Sequence, residues 1–389
     1  MRAMRIASER PCQQENEGGE NVIVTQQVQL QPTPEQATKL KETLELCNEA
    51  CNWLSPKIAA EKSRSRMKLQ KEYYYSVREQ FPKLGAGQTI MAIWQTVDSY
   101  KAGKKGVIRQ FREHGAMPLH PNCLRPLDAE VNGVSIWTCD GREKVPVVMG
   151  DYQREKIRIG KIRGEADLTY RDGKFYLLLA VEVPNEETQT TGWHLGVDLG
   201  IKNIAVDSDG EVFAGNHLQN VRCRYDRLRA KLQAKGTKSA RRLLKKRRHR
   251  ESRFARDVNH CISKKLVLKA KGTGRCIALE DLKGIRDRVT VRKAQRRIHS
   301  SWGFYQLRQF IAYKGEMRGV PVALVDPRNT SRTCIRCGHV AKENRPTRDN
   351  FCCVSCGFAG PADHIAAVNI GRRADARQPN AGRDEVKTA

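Results

Sequence analysis

Apolar and polar residues alternate along Asn21–Leu30 (NVIVTQQVQL), the period-two pattern of a strand with one buried face. Pro32-Thr33-Pro34 ends it, and Leu40, Leu44, Cys47 and Cys51 then recur at helical spacing. The helical pattern runs on to about Tyr100, with breaks near Pro82 and at Gly85 and Gly87. Residues 117–183 return to short alternating runs, among them Val134-Ser135-Ile136-Trp137, Lys156-Ile157-Arg158-Ile159 and Lys174–Val183. Asp140-Gly141 and Asp172-Gly173 punctuate them, and turn dipeptides between such runs predict antiparallel hairpins in a small barrel or sandwich. The pattern thus predicts a β domain whose first strand is Asn21–Leu30, with a helical insertion between its parts. Residues 1–20 are polar, rich in Gly and Glu, and expected to be disordered; Asn185–Gly192 reads as a linker.

Past the linker, HLGVDLGIKNIAV (194–206) reads as a buried strand, a Gly turn and a second strand, with a third over Glu211–Ala214. Arg222–Arg256 then carries 16 basic and 2 acidic residues, with Leu228, Leu232, Leu243, Leu244 and Phe254 as apolar positions. This predicts a pair of basic helices broken near Gly236. Here charge changes the picture. The 389 residues hold 71 Lys plus Arg against 43 Asp plus Glu, a net +28, and this one segment supplies half of it. Repulsion on that scale calls for a polyanion, so Arg241, Arg242, Lys245, Lys246, Arg247 and Arg248 are candidate phosphate contacts; the alternative is two solvated helix faces. No apolar run approaches the ~18 residues of a membrane span, and the N-terminus lacks a signal-peptide core. A cytoplasmic protein is expected, and its 13 cysteines are not read as a disulfide framework.

Four of those cysteines carry chemistry. Cys334-Ile-Arg-Cys337 and Cys353-Val-Ser-Cys356 are two CxxC pairs fifteen residues apart, the spacing of a tetrahedral thiolate Zn²⁺ knuckle. Gly338 and Gly357 follow each pair, where free φ lets a knuckle close, and Cys352 reads as a bystander. Three acidic residues stand in apolar surroundings: Asp198 at a strand centre, Glu280 ending Cys276-Ile-Ala-Leu-Glu280, and Asp363 opening a helix of small residues. If they converge, such carboxylates suit paired Mg²⁺ ions acting on a phosphodiester. Singly, they could instead be a turn residue, a solvated strand end and a helix cap.

In this order, the motifs resemble those of TnpB, the insertion-sequence-encoded nuclease family related to compact type V CRISPR effectors. The matching segments are GVDLGIKNIAV (196–206), ALEDLKGI (278–285), 301–338 with the first CxxC, and CCVSCGFAGPADHIAAVNI (352–370). The resemblance implies a multi-domain α+β protein. A β-barrel wedge domain (21–33 and 117–190) would carry a helical recognition insertion (34–116). An RNase H-like (RuvC) α/β nuclease (191–331 and 358–373) would follow, with an inserted zinc knuckle (332–357) and a flexible tail (374–389). It further implies Asp198, Glu280 and Asp363 as catalytic Mg²⁺ ligands, a guide RNA from the element end, and double-stranded target DNA cut beside a short adjacent motif. Asn52, Trp53, Tyr74, Arg78 and Gln80 are candidate readers of that motif. Two positions depart from the family pattern: Ile365 stands where Asn is common, and Pro361-Ala362-Asp363 replaces Asp-Arg-Asp. An RNA-guided repressor without cleavage and an unguided RuvC-like or transposase-type enzyme are the competing readings.

Overall fold

The computed structural model describes residues 21–101, 107–125, 133–188, 192–282 and 303–376, which fall into two compact units meeting in sequence at Pro184 and Asn185. The expected disorder of residues 1–20 and the tail beyond 376 lie outside the described residues.

The first unit opens with β1 (Val22–Leu30), whose burial alternates along its length as the sequence pattern requires. Three helices follow, α1 (Pro34–Ala60), α2 (Arg66–Gln80) and α3 (Ala86–Lys101). Thr33 and Gln36 form a reciprocal capping box at the start of α1, and Leu40, Leu44, Cys47, Cys51, Leu54 and Ile58 make its buried stripe. The chain then returns to β2 (Met117–Leu119), β3 (Leu124–Arg125), β4 (Gly133–Thr138), β5 (Gly141–Val148), α4 (Asp151–Ile159), β6 (Lys161–Arg171) and β7 (Lys174–Val183). The seven strands pair antiparallel in the order β2-β6-β7-β1-β5-β4-β3. A flat sheet of this size would hold its edges about 29 Å apart. The edge strands β2 and β3 are joined by the stretch from Leu119 to Leu124, which spans at most about 18 Å, so the sheet must curl towards closure.

One expected strand is a helix. Lys156–Ile159 lies in α4, where the Gln153 side chain accepts from the Gly150 N–H at 2.7 Å and Asp151 and Arg158 match the helix dipole. Four alternating residues fit either period; the cap decided the outcome.

The second unit is built on β8 (His194–Asp198), β9 (Asn203–Asp207), β10 (Val212–Ala214), β11 (Cys276–Glu280) and β12 (Val322–Val325), in the order β10-β9-β8-β11-β12. The first three pair antiparallel, while β8, β11 and β12 run parallel. Between β10 and β11 come α5 (Asn216–Lys235), α6 (Lys238–Arg247) and α7 (Arg250–Gly272), so the basic segment forms three helices and not two. Gly236 makes the expected break at φ 62°, and a second falls at His249, held left-handed at φ 66° with no glycine to announce it. Further on are α8 (Phe304–Met317), the two-stranded β13 (Asn350–Cys352) and β14 (Ala359–Pro361), and α9 (Ala362–Asp375). Leu195, Val197, Ile277 and Leu279 pack with Ile262 and Leu266 of α7 and Leu307 and Ile311 of α8. Ala278 and Val325 pack with Ile370 and Ala374 of α9. Helices thus cover both faces, which is why β8 and β11 read as unbroken apolar runs.

Candidate active site and four-cysteine centre

Strand register puts two carboxylates side by side. Ala278 lies opposite Gly196 and Leu279 opposite Val197 in the parallel pair β8–β11, so the next positions, Glu280 and Asp198, are neighbours on one face. Asp198 therefore closes its strand where a strand centre was expected, because Leu199-Gly200 turns the chain at once into β9. Both acids stand at carboxyl ends of parallel strands, the usual place for an α/β site.

Helix α9 brings the third. It crosses β8 in direct backbone contact: a Cβ on Gly196 would overlap the Ala367 carbonyl oxygen and lie 2.5 Å from the Gly371 nitrogen. At its far end, Asp375 accepts from the His194 backbone at 2.9 Å and meets the buried His194 ring at 2.7 Å. Held at both places, α9 presents Asp363 from its first turn. Asp363 is not the cap; Pro361 occupies that position, and the carboxylate instead accepts from Asn203 Nδ2 at 2.9 Å and lies 3.6 Å from the Arg345 guanidinium.

The electrostatics record the convergence. Burial, then the charges of Glu280 and Asp363, push the Asp198 carboxyl up to about 7, against the pull of Arg345. Burial also raises Glu280, while the Thr330 hydroxyl, which donates to its Oε1 at 2.5 Å, and the cations Arg373 and Arg345 work the other way. A cleft of about 240 Å³ opens at Asp363, lined also by Lys202, Asn203, Asp349 and His364. A larger cavity of about 340 Å³ between α5, α7 and α8 touches none of the three carboxylates.

The four cysteines converge more tightly. Cys334 and Cys356 Sγ are 3.6 Å apart, as are those of Cys337 and Cys353, and all four sulfurs lie within 4.8 Å of one another. Tetrahedral Zn–S bonds of about 2.3 Å need sulfurs about 3.8 Å apart, so this donor set fits zinc. Gly338 and Gly357 adopt φ of 74° and 71°, and the Arg336 N–H donates to Cys334 Sγ at 3.4 Å. Cys352 is exposed on β13, outside the cluster. Ile365 is buried with Cys334, Phe351 and Cys353, so the apolar residue at the departing position docks α9 on the cysteine element.

The other candidates belong to other elements. Arg241, Arg242, Lys245, Lys246, Arg247 and Arg248 are all exposed, on or just after α6. Asn52, Trp53, Tyr74, Arg78 and Gln80 belong to the first unit. There Asn52 exchanges hydrogen bonds with the Phe111 backbone at 2.9 and 2.7 Å, and Trp53 packs edge-on against Phe81 with Lys57 Nζ 3.9 Å above its ring. Tyr74 stands edge-on to Tyr75 at 5.3 Å.

Two family models match within the chain: "Probable transposase" (OrfB_IS605) over residues 178–283 and "Cas12f1-like, TNB domain" over 304–370. The CRISPR-associated endodeoxyribonuclease Cas12f1 of Sulfoacidibacillus thermotolerans is 25% identical over 346 residues, 76% of this chain and 79% of that protein. The TnpB-like protein MJ0751 of Methanocaldococcus jannaschii is 31% identical over 187 residues, 45% of this chain and 66% of the relative. The chain belongs to the TnpB family. Its fold is also like that in a cryo-EM structure of a Cas12f1–sgRNA–target DNA complex, with a TM-score of 0.53 at 13% identity over 90% of this chain and 99% of that one. For a TnpB-family chain, the carboxylates were the readable part of the site. Thr330, Asn203 and Arg345 carry little signal in the sequence, being isolated polar residues; a Thr four residues before the first Cys is their only local mark.

Proposed function

We propose that the protein is an RNA-guided DNA endonuclease of a transposable element, cutting target DNA by metal-dependent hydrolysis at Asp198, Glu280 and Asp363. What supports this is the register that sets Asp198 of β8 beside Glu280 of β11, together with the charge coupling that raises Asp198 to about 7 through burial, Glu280 and Asp363 of α9. Acids of like charge held together in partly buried positions are costly unless a cation shares them, and an all-oxygen donor set suits Mg²⁺. When bound, paired ions would activate water and stabilise the leaving oxygen. Asn203 orients Asp363, and Arg345 supplies a permanent cation beside it that can take up phosphodiester charge. The mixed sheet, three antiparallel strands continued by two parallel ones, supports an RNase H-like (RuvC) reading of residues 191–331 and 358–373. The curled sheet supports the wedge role for 21–33 and 117–190, with 34–116 as the recognition insertion. Sequencing RNA that co-purifies with the protein, then using it to cut a plasmid library randomised beside the matching target, tests guidance, motif and cleavage together. Target binding without cutting would favour the repressor; cutting without RNA, the unguided enzyme.

In this reading the zinc is structural, since four thiolates leave no position for water. Its place between β12 and α9 lets it set where Asp363 enters the site. Cys353→Ser should lose zinc and impair cutting, whereas Cys352→Ser should keep both; metal analysis of the purified variants checks this, and zinc loss from Cys352→Ser would mean the second pair is misassigned.

The exposed cations around α6 would hold nucleic-acid phosphates. Neutralising Arg241, Arg242, Lys245, Lys246, Arg247 and Arg248 together should weaken RNA or DNA binding. It should also flatten the plot of log K against log salt by about 0.7–0.9 for each phosphate no longer neutralised. An unchanged slope would return these helices to solvent.

A further inference from the structure

Thr330 stands at a junction that the carboxylates alone do not explain. It lies in the loop between β12 and the first CxxC and is only 2% exposed. Its hydroxyl is 2.5 Å from Glu280 Oε1 and 3.1 Å from the Pro327 carbonyl. One hydroxyl has one proton, and an ionised carboxylate is the stronger acceptor, so the bond to Glu280 takes it. The Thr330 carbonyl in turn accepts from Asn369 Nδ2 at 2.8 Å, and the same amide reaches the Thr333 carbonyl at 2.8 Å. Asn369 is buried on α9, the helix that carries Asp363. Glu280 on β11, the loop leading to the cysteines, and α9 are thereby joined through one residue.

We propose that Thr330 is a positioning residue for cleavage: its hydroxyl fixes the plane of the Glu280 carboxylate, and Asn369, bonded to the Thr330 carbonyl, fixes the backbone that carries the hydroxyl. A carboxylate that shares a metal must hold its orientation without help from the ion, and a buried donor on one oxygen does this at little entropic cost. The inference rests on Glu280 being a metal ligand.

Thr330→Val keeps the shape and removes the donor; Thr330→Ser keeps the donor and removes the methyl. Partners of metal ligands are worth about 10–100-fold in affinity or activity, so Val should slow single-turnover cleavage by that factor while Ser stays within about threefold of wild type. Target-DNA binding by the guide-loaded protein should not change in either. Mn²⁺ affinity, read by electron paramagnetic resonance on the guide-loaded protein without target, should weaken about tenfold in Val and hold in Ser. Thr330→Ala gives a second variant without the hydroxyl if Val fails to fold. Wild-type cutting and Mn²⁺ affinity in Val or Ala would overturn the role, as would Ser failing as badly as Val, which would make the methyl the important group. Glu280→Ala in the same assays separates the two levels: normal cutting there removes the reading beneath, whereas an inactive Glu280→Ala beside an unaffected Thr330→Val removes this inference alone.

Discussion

Asp198→Ala should reduce DNA cleavage by about 10³-fold or more, the scale expected when a group central to the transition state is removed, and leave binding of matched target by the guide-loaded protein intact. Glu280→Ala and Asp363→Ala should behave alike, since in the proposed site all three share one set of ions and none belongs to the exposed cationic surface. Near-normal cutting by Asp198→Ala in Mg²⁺ would sink the site assignment. Stability should report the same arrangement from another side. The Asp198 carboxyl titrates at about 7 in the fold, against about 3.9 in an unfolded chain. Between those values the folded state keeps a proton that the unfolded state has lost, so without divalent ions stability falls as pH rises to about 7 and then levels. Asp198→Asn should therefore melt higher than wild type at about pH 8 in Mg²⁺-free buffer, with the margin vanishing near pH 4, and added Mg²⁺ should stabilise wild type only. Thermal melts at the two ends of that range check the sign; a margin that grows towards acid pH would contradict it.

The second large effect is expected at a residue with no side chain. Gly196→Ala would drive a Cβ into the Ala367 carbonyl and the Gly371 nitrogen, both backbone atoms of α9 that cannot rotate away. Overpacking of this kind costs about 1–3 kcal/mol or more, and here the strain moves the helix that carries Asp363. The variant should lose most cleavage and melt several degrees lower. Gly272→Ala, at the open end of α7 with nothing within 4 Å, should change neither. If Gly196→Ala cuts at the wild-type rate, close packing of α9 on β8 is not what places Asp363.

Much of this was legible because the signals are local. The CxxC pairs declare themselves by spacing, and apolar runs around Asp198 and before Glu280 announce strands buried on both faces. The small residues after Asp363 announced close helix packing, and Gly196 and Gly371 show how close. What stayed hidden depends on distant partners. Nothing beside Asn203 or Arg345 in the chain hints at Asp363, which reaches them only through tertiary contact. The break at His249 carries no turn residue. At Lys156–Ile159 the alternation was too short to outweigh a cap formed from Gly150 and Gln153.

The parallel pairing of β8 with β11 has a consequence for the order in which the protein can become active. Strands β8, β9 and β10 are joined by short turns and can meet early, carrying Asp198 alone. Glu280 arrives only after the three helices between β10 and β11 have been traversed, and Asp363 later still, when α9 closes over Gly196. Pairings that distant in sequence form slowly, since loop closure must precede any gain from them. On the proposed reading of the site, a chain that folds in this order would hold one or two of the acids before the full set, and hydrolytic competence would come with the docking of α9 on the sheet beneath it.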